Sequence, residues 1–187
     1  MASCRGRAVR AFLNYKDALT EAMTILAQTP RTLFIGQNTI YDGAVDIPAT
    51  LAPVPMDRRI EFPVAEDLQL GVCIGLALAG WLPVCIYPRM DFLVLALNQL
   101  VNHLDKMQEM SAGRYRPKVI VRVGIGGSNP LDPGPQHRQD HTGALKLMLA
   151  NTDVVGLDSA AQIKRAYAAA LQSSRSSVLV ERLERMR

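Results

Sequence analysis

The sequence has few aromatic side chains and only a small excess of positive charge. Phe, Trp and Tyr make up 5% of the 187 residues, charged residues make up 20%, and the formal net charge is +4. Much of the positive charge lies near the two chain ends, in Arg5, Arg7, Arg10, Arg182, Arg185 and Arg187. Proteins that bind single-stranded nucleic acid combine basic grooves with stacking aromatic side chains. The composition therefore argues against a nucleic-acid partner.

Cysteine is scarce, and no apolar run has the length of a membrane span. The three cysteines, Cys4, Cys73 and Cys85, are an odd number without CxxC spacing, which predicts reduced thiols and a cytoplasmic protein. The longest apolar stretch, residues 70–86, is interrupted by glycines and a proline. No apolar segment of the secretory type follows the first arginines. We therefore expect no membrane contact.

The residues that are present predict one α/β domain. Hydrophobic residues make up 49% of the chain, enough for a single core over residues 14–187, after a basic N-terminal segment of residues 1–13. Helical spacing predicts helices over 14–28, 65–79, 92–110 and 160–171, and short apolar runs predict strands at 32–36, 59–63, 84–87, 118–123, 153–157 and 177–181. This alternation predicts a mostly parallel sheet with helices on both faces and ligands beyond the strand carboxyl ends.

Glu66 opens the very apolar helix predicted over residues 65–79. A carboxylate is costly to bury unless another group uses it, which makes Glu66 a candidate functional residue. An exposed acid at a helix N-terminus, stabilised by the helix dipole, explains the same pattern. Taken by itself, the local sequence favours the exposed acid.

His137 ends a long glycine-rich loop that follows the strand predicted at 118–123. Histidines in such loops serve as general acids and bases, and a capping or solvent-facing role fits equally well, so both stay open. His137 and His141 as a metal pair lack a third ligand and the glutamate of a zinc helix, so no metal site is expected. Phe92 lies between a predicted strand and a predicted helix, where core packing is the default.

Short motifs over most of the chain form one shared pattern: YKDAL at 15–19, YDGA at 41–44, PVAE at 63–66, GWLPV at 80–84, DF at 91–92, ALNQLVN at 96–102, VR at 121–122 and QH at 136–137. This pattern resembles the beta subunit of the thiamine-diphosphate-dependent 2-oxoacid dehydrogenases, such as pyruvate dehydrogenase, and is similar to the pyrimidine-binding domain of transketolases. The resemblance implies the thiamine-diphosphate-binding (pyrimidine domain) fold.

The resemblance also implies roles for three residues. Glu66 matches the family's glutamate, which hydrogen-bonds a ring nitrogen of the aminopyrimidine and helps the exocyclic amino group to act as the base toward the thiazolium carbon. Phe92 matches an aromatic ring that lies against the pyrimidine. His137 matches a histidine that faces the substrate and the acyl acceptor. The implied catalytic residues are thus Glu66 and His137, and the implied cofactor-binding residues are Glu66 and Phe92.

The resemblance further implies a partner. The chain lacks the Gly-Asp-Gly … Asn signature that holds diphosphate and Mg²⁺ in the family, so an alpha-type subunit in a heterotetramer is expected to supply it. A small 2-oxoacid or a ketose is the expected substrate. The chain ends before the C-terminal domain usual in the family's beta subunits, and Pro88, Arg89, Met90 and Arg138 depart from the usual loops.

Other functions remain open at this point. Transketolase-like or acyloin-forming transfer in a dedicated biosynthetic pathway is the first alternative to 2-oxoacid decarboxylation. A non-catalytic interaction subunit with the same fold is the second, and a nucleotide-binding α/β domain is the third.

Overall fold

A computed structural model describes residues 14–41, 43–128 and 132–186 of the chain. The predicted basic segment of residues 1–13, with Cys4, lies outside the described residues, as does Asp42 of the YDGA motif. In the described part, no helix is both long and apolar enough to cross a membrane.

Parallel strands form a single sheet. Within the described residues there are six, β1 (Thr32–Gly36), β2 (Arg59–Glu61), β3 (Leu82–Tyr87), β4 (Ile120–Ile125), β5 (Thr152–Leu157) and β6 (Ser176–Arg182). Their order across the sheet is β2-β1-β3-β4-β6-β5, and every neighbouring pair is parallel. Every residue of β1 and β4 is buried, as expected for strands covered on both faces. The predicted α/β fold with a parallel sheet is confirmed.

Helices cover both faces of the sheet. They are α1 (Tyr15–Gln28), α2 (Asp46–Ala49), α3 (Glu66–Leu78), α4 (Met90–Leu93), α5 (Met107–Met110), α6 (Thr142–Met148) and α7 (Ala160–Gln172). One buried apolar cluster joins α1 and α7 to one face. A second cluster joins α3, α4 and α6 to the other face. The carboxyl ends of the strands therefore form one edge between two helical layers.

The N-terminal ends of α1 and α7 are capped by side chains. The side chain of Asn14 accepts a hydrogen bond from the Asp17 amide at 2.8 Å. Ser159 does the same for the Gln162 amide at 3.3 Å. These caps satisfy amide groups that the first helical turn leaves without partners. Both helices begin within one residue of the predicted boundary.

The single helix predicted over residues 92–110 is wrong in its continuity. After α4 the chain forms a 3₁₀ turn over Val94–Ala96 and wider π-helical turns over Asn98–Leu104, before α5 begins. The Asp105 amide donates to the Leu100 carbonyl at 3.0 Å, five residues earlier. The buried Asp105 carboxylate then accepts from the amides of Ala150 and Asn151 at 3.2 and 2.8 Å. The spacing of apolar residues carries no information about hydrogen bonds from two amides that are distant in sequence, so it could not predict this interruption. The short helices α2 and α6 were not predicted either.

Asp105 leads to a stability prediction with a definite pH dependence. Burial opposes its charge, but the Asn151 amide, Lys106 and the Ala150 amide outweigh burial and hold the pKa of Asp105 below its ordinary value. Because the folded pKa lies below the unfolded one, this stabilisation is present above about pH 4 and is lost as the pH falls through the folded pKa.

We expect Asp105→Asn to lower the free energy of unfolding by about 1–3 kcal/mol at pH 7, because the buried, charged acceptor of two backbone amides is removed. The difference from the unmodified chain should shrink below about pH 3. Urea unfolding at pH 7 and at low pH measures both. Asp153→Asn is the control, since the Asp153 side chain is 46% exposed in its ion pair with Arg175. An equal loss at both pH values would contradict the role of charge.

Candidate active site

Glu66 is the first residue of α3 and is only 7% exposed. The exposed helix-terminal acid favoured by the local sequence is therefore wrong. The backbone carbonyl of Glu66 accepts a hydrogen bond from the Tyr87 hydroxyl at 2.9 Å, and Tyr87 is the buried last residue of β3. Within the described residues, no hydrogen bond or ion pair reaches the Glu66 carboxylate. The site thus contains a buried acid whose polar partner is missing from this part of the chain.

Gln69 fixes the first turn of α3 to the carboxyl end of the sheet. Its side chain is fully buried, and its amide nitrogen donates to the Ile86 carbonyl at 3.0 Å and to the Cys85 sulfur at 3.2 Å. Its amide oxygen accepts from Gln37, which follows β1, at 3.2 Å. Burial raises the pKa of Tyr87, so its hydroxyl keeps its proton as the donor to Glu66. Glu66 is therefore held in place through its backbone, and its carboxylate stays available.

Phe92 and His137 lie together. Their ring centroids are 5.5 Å apart and the ring planes meet at 84°, an edge-to-face pair. This is a favoured geometry for aromatic rings and stabilises their relative position. Both residues are half-buried. The structure thus brings together two of the three predicted site residues.

The His137 segment has further contacts with the start of α4. The His141 amide lies 2.9 Å from the Met90 sulfur, and the Gln139 side chain donates to Asp91 at 2.8 Å. The other carboxylate oxygen of Asp91 is buried and has no partner within the described residues. The loop after β4 is therefore attached at several points to the loop after β3.

Glu66 shares an edge of the sheet with this pair but does not contact it directly. It forms no hydrogen bond or ring contact with Phe92 or His137 in the described part of the chain. Its helix packs on the segment after α4, where the Gln99 amide donates to Asp67 at 3.2 Å. Glu66 lies beside the end of β3, and Phe92 follows that end by five residues. All three predicted residues thus lie at the strand carboxyl ends, where ligands bind in this class of fold.

A cleft at the same edge has a volume of about 430 Å³ and lies between the loop after β1 and Pro88 and Arg89. Glu61 orders that loop, because its carboxylate accepts from the amides of Asn38 and Thr39, each at 2.7 Å. The volume falls within the range of small-molecule sites, which is roughly 300–1,000 Å³. Sequence reasoning noted Arg89 only as a departure from the family pattern, although an arginine directly after a buried strand is a usable signal.

Among the residues that the structure describes, no group of three or more His, Cys, Asp or Glu side chains is arranged to hold a metal ion. The pyrimidine half of a thiamine-diphosphate site requires different groups. The carboxylate of the little-exposed Glu66, which has no partner in the described residues, suits a ring nitrogen, and a half-buried aromatic ring suits the flat face of a pyrimidine. The residues present therefore fit the aminopyrimidine part of the cofactor.

A family of known domains matches the sequence of this chain. The family described as the pyrimidine-binding domain of transketolase matches residues 12–186. The chain belongs to this family. Membership confirms the resemblance stated from the motifs and agrees with thiamine diphosphate as the cofactor.

Relatives of this family member include beta subunits of 2-oxoacid dehydrogenases. The mitochondrial pyruvate dehydrogenase E1 component subunit beta of Caenorhabditis elegans is 30% identical over 131 residues, which cover 68% of this chain and 37% of that protein. The 3-methyl-2-oxobutanoate dehydrogenase subunit beta of Mycobacterium tuberculosis is 31% identical over 141 residues, 72% of this chain and 40% of that protein. The chain thus spans well under half the length of these curated relatives.

Solved transketolase structures share the fold of this family member. Transketolase from Campylobacter jejuni superposes with a TM-score of 0.72 at 15% identity, over 92% of this chain and 26% of that one. A split-gene transketolase, described as an inactive beta4 tetramer, gives a TM-score of 0.68 at 18% identity, over 92% of this chain and 52% of that one. These likenesses confirm the pyrimidine-domain fold.

Proposed function

We propose that this chain is the pyrimidine-binding subunit of a split thiamine-diphosphate-dependent enzyme that decarboxylates a 2-oxoacid and transfers the acyl unit. The observation that carries the proposal is Glu66, a residue only 7% exposed at the carboxyl end of the sheet, whose carboxylate has no hydrogen-bonding partner in the described residues. A carboxylate that little solvent reaches gains from a hydrogen-bonding partner, so a group that pairs with it is expected in the working enzyme. The ring nitrogen of an aminopyrimidine is such a group.

Glu66 would share a proton with this ring nitrogen, as a general acid or base requires a group within hydrogen-bond reach. Tyr87 and Gln69 hold the helix that carries it and leave the carboxylate available. Phe92 would lie against the pyrimidine ring, and His137 would face the substrate. When bound, thiamine diphosphate supplies the thiazolium carbon that adds to the substrate carbonyl and stabilises the charge left by carbon–carbon cleavage.

The names of the relatives support the substrate class and the partner. Both relatives described above are beta subunits of dehydrogenases, one named for pyruvate and one for 3-methyl-2-oxobutanoate. We propose an alpha-type subunit that holds the diphosphate and Mg²⁺, in a heterotetramer with this chain. The domain over residues 14–187 and a cytoplasmic location stay predictions, since some relatives are named as mitochondrial or chloroplastic proteins.

Calorimetry tests the proposal. Thiamine diphosphate with Mg²⁺ is titrated into this chain alone and then into the complex of this chain with its diphosphate-binding subunit. We expect binding in the complex only, followed by CO₂ release from one or more 2-oxoacids. A complex that binds no cofactor would point to an interaction subunit, and dinucleotide binding by the isolated chain would point to a nucleotide-binding domain. Ketol transfer without CO₂ release would show that the substrate is a ketose and not a 2-oxoacid.

A further inference from the structure

Arg89 connects the two loops that form the His137 site. It lies between the end of β3 and the start of α4, in extended backbone with φ −142° and ψ 149°. Its Nη1 atom donates to the His137 carbonyl at 2.5 Å and to the Gly126 carbonyl at 3.1 Å. Gly126 lies at the start of the loop after β4, and His137 lies near its end. One guanidinium nitrogen therefore joins both ends of this loop to the loop after β3.

The two acceptors are backbone carbonyls. Arg89 therefore fixes the main chain at His137, independently of the conformation of the His137 side chain. Hydrogen bonds from a charged donor are stronger than neutral ones. The neighbouring attachments are weaker: the Gln139–Asp91 bond is open to solvent, and the His141 amide meets a thioether sulfur, which is a weak acceptor. Arg89 is thus the strongest described tie between the segment 137–141 and the start of α4.

The hydrogen bond from Arg89 holds the backbone of His137, whose imidazole ring faces Phe92. His137 pairs edge-to-face with Phe92, which lies three residues after Arg89. The φ angle of Gly126 is +70°, a conformation that glycine adopts easily. Without the guanidinium, the position of the His137 backbone would depend on the exposed contacts that remain.

We propose that Arg89 is the positioning residue of His137, holding its imidazole against Phe92 without itself touching the substrate. Only the expected effect of Arg89 on catalysis rests on the proposed function of His137. The structural part, which is the orientation of the His137 ring in the free chain, stands independently of cofactor and partner.

Nuclear magnetic resonance of the free chain tests the positioning. The chain has three histidines, so the imidazole signals can be assigned, and Phe92→Leu identifies the signal that the Phe92 ring shifts. We expect Arg89→Met to remove most of that shift from His137 while the chain stays folded by circular dichroism, and Arg89→Lys to restore part of it. Arg138→Met is the matched control, because the Arg138 side chain pairs only with Asp132 in the described contacts.

In the complex with the partner subunit, Arg89→Met should lower kcat by about tenfold or more, because small misplacements of a reacting group are costly. The affinity for thiamine diphosphate and KM should change little. An unchanged His137 signal in the folded Arg89→Met chain would overturn the proposal. A large rise in KM with that signal unchanged would show instead that Arg89 binds an anionic group of the substrate. Failure of cofactor binding in the unmodified complex would remove the proposed function and leave the magnetic resonance result intact.

Discussion

Glu66→Gln should slow exchange of the thiazolium proton by about 100-fold or more in the assembled enzyme, since general acid–base groups contribute about 10²–10⁴-fold. Glutamine keeps the size of the side chain and can still form hydrogen bonds through its carbonyl oxygen and its NH₂ group, but it cannot take up or release a proton at neutral pH. Cofactor affinity should therefore fall by no more than about tenfold, the loss of roughly one hydrogen bond. Deuterium exchange at the thiazolium carbon, followed by magnetic resonance, separates these two effects.

The same substitution has an opposite effect on the free chain. Glu66 is 7% exposed and its carboxylate has no partner in the described residues. Replacing it with a neutral amide should stabilise the isolated chain by about 1 kcal/mol, as is common where a functional group is kept at a cost in stability. Asp67→Asn is the matched control, because Asp67 lies on the same helical turn, is exposed, and accepts from Gln99. Full proton exchange in Glu66→Gln would exclude Glu66 as the proton partner.

The strands and the long regular helices were predictable because each signal is local. The apolar runs that become β1 and β4 and the helical spacing of α1 and α7 appear in the structure within a few residues. The family pattern also selected Glu66, Phe92 and His137, two of which form a ring pair. By contrast, local sequence alone suggested an exposed Glu66, because its helix end is held against β3 by contacts with Tyr87 and Ile86, which lie on another segment.

Features that depend on long-range partners were not predictable. The helix predicted over residues 92–110 is interrupted just before Asp105, whose carboxylate accepts hydrogen bonds from two amides that lie before β5. The contact between Arg89 and His137 joins two loops that only the sheet order brings together. Periodicity records which face of an element is apolar, and it carries no information about a polar group whose partner lies on another element.

Arg122 is another polar residue whose partners lie on other elements, and it is fully buried. It lies on β4 within a run of β-branched residues. Its guanidinium donates to both carboxylate oxygens of Glu181 on β6, at 2.7 and 3.0 Å, and to the Thr50 hydroxyl at 3.0 Å. The Tyr167 hydroxyl donates to the same carboxylate, and burial raises the pKa of Tyr167 and keeps it protonated. The network joins the sheet to α7 and to the residue after α2.

We expect Arg122→Met to lower the free energy of unfolding by about 3–5 kcal/mol, because it leaves Glu181 charged and buried without its cation. Methionine retains most of the apolar volume of the arginine stem, so the loss measures charge pairing more than packing. Urea unfolding of the free chain at pH 7 provides the measurement. For a domain with a typical stability of about 5–15 kcal/mol, a loss of this size is a large fraction of the total.

Two further variants identify the cause of that loss. Lys164→Met removes one side of the Lys164–Glu21 pair, whose side chains are 48% and 43% exposed, and should cost at most about 1 kcal/mol. The double variant Arg122→Met with Glu181→Leu should recover most of the stability lost in Arg122→Met, since replacing a whole buried ion pair with apolar groups is often neutral or stabilising. If the double variant is as unstable as the single one, the unpaired charge of Glu181 does not account for the loss.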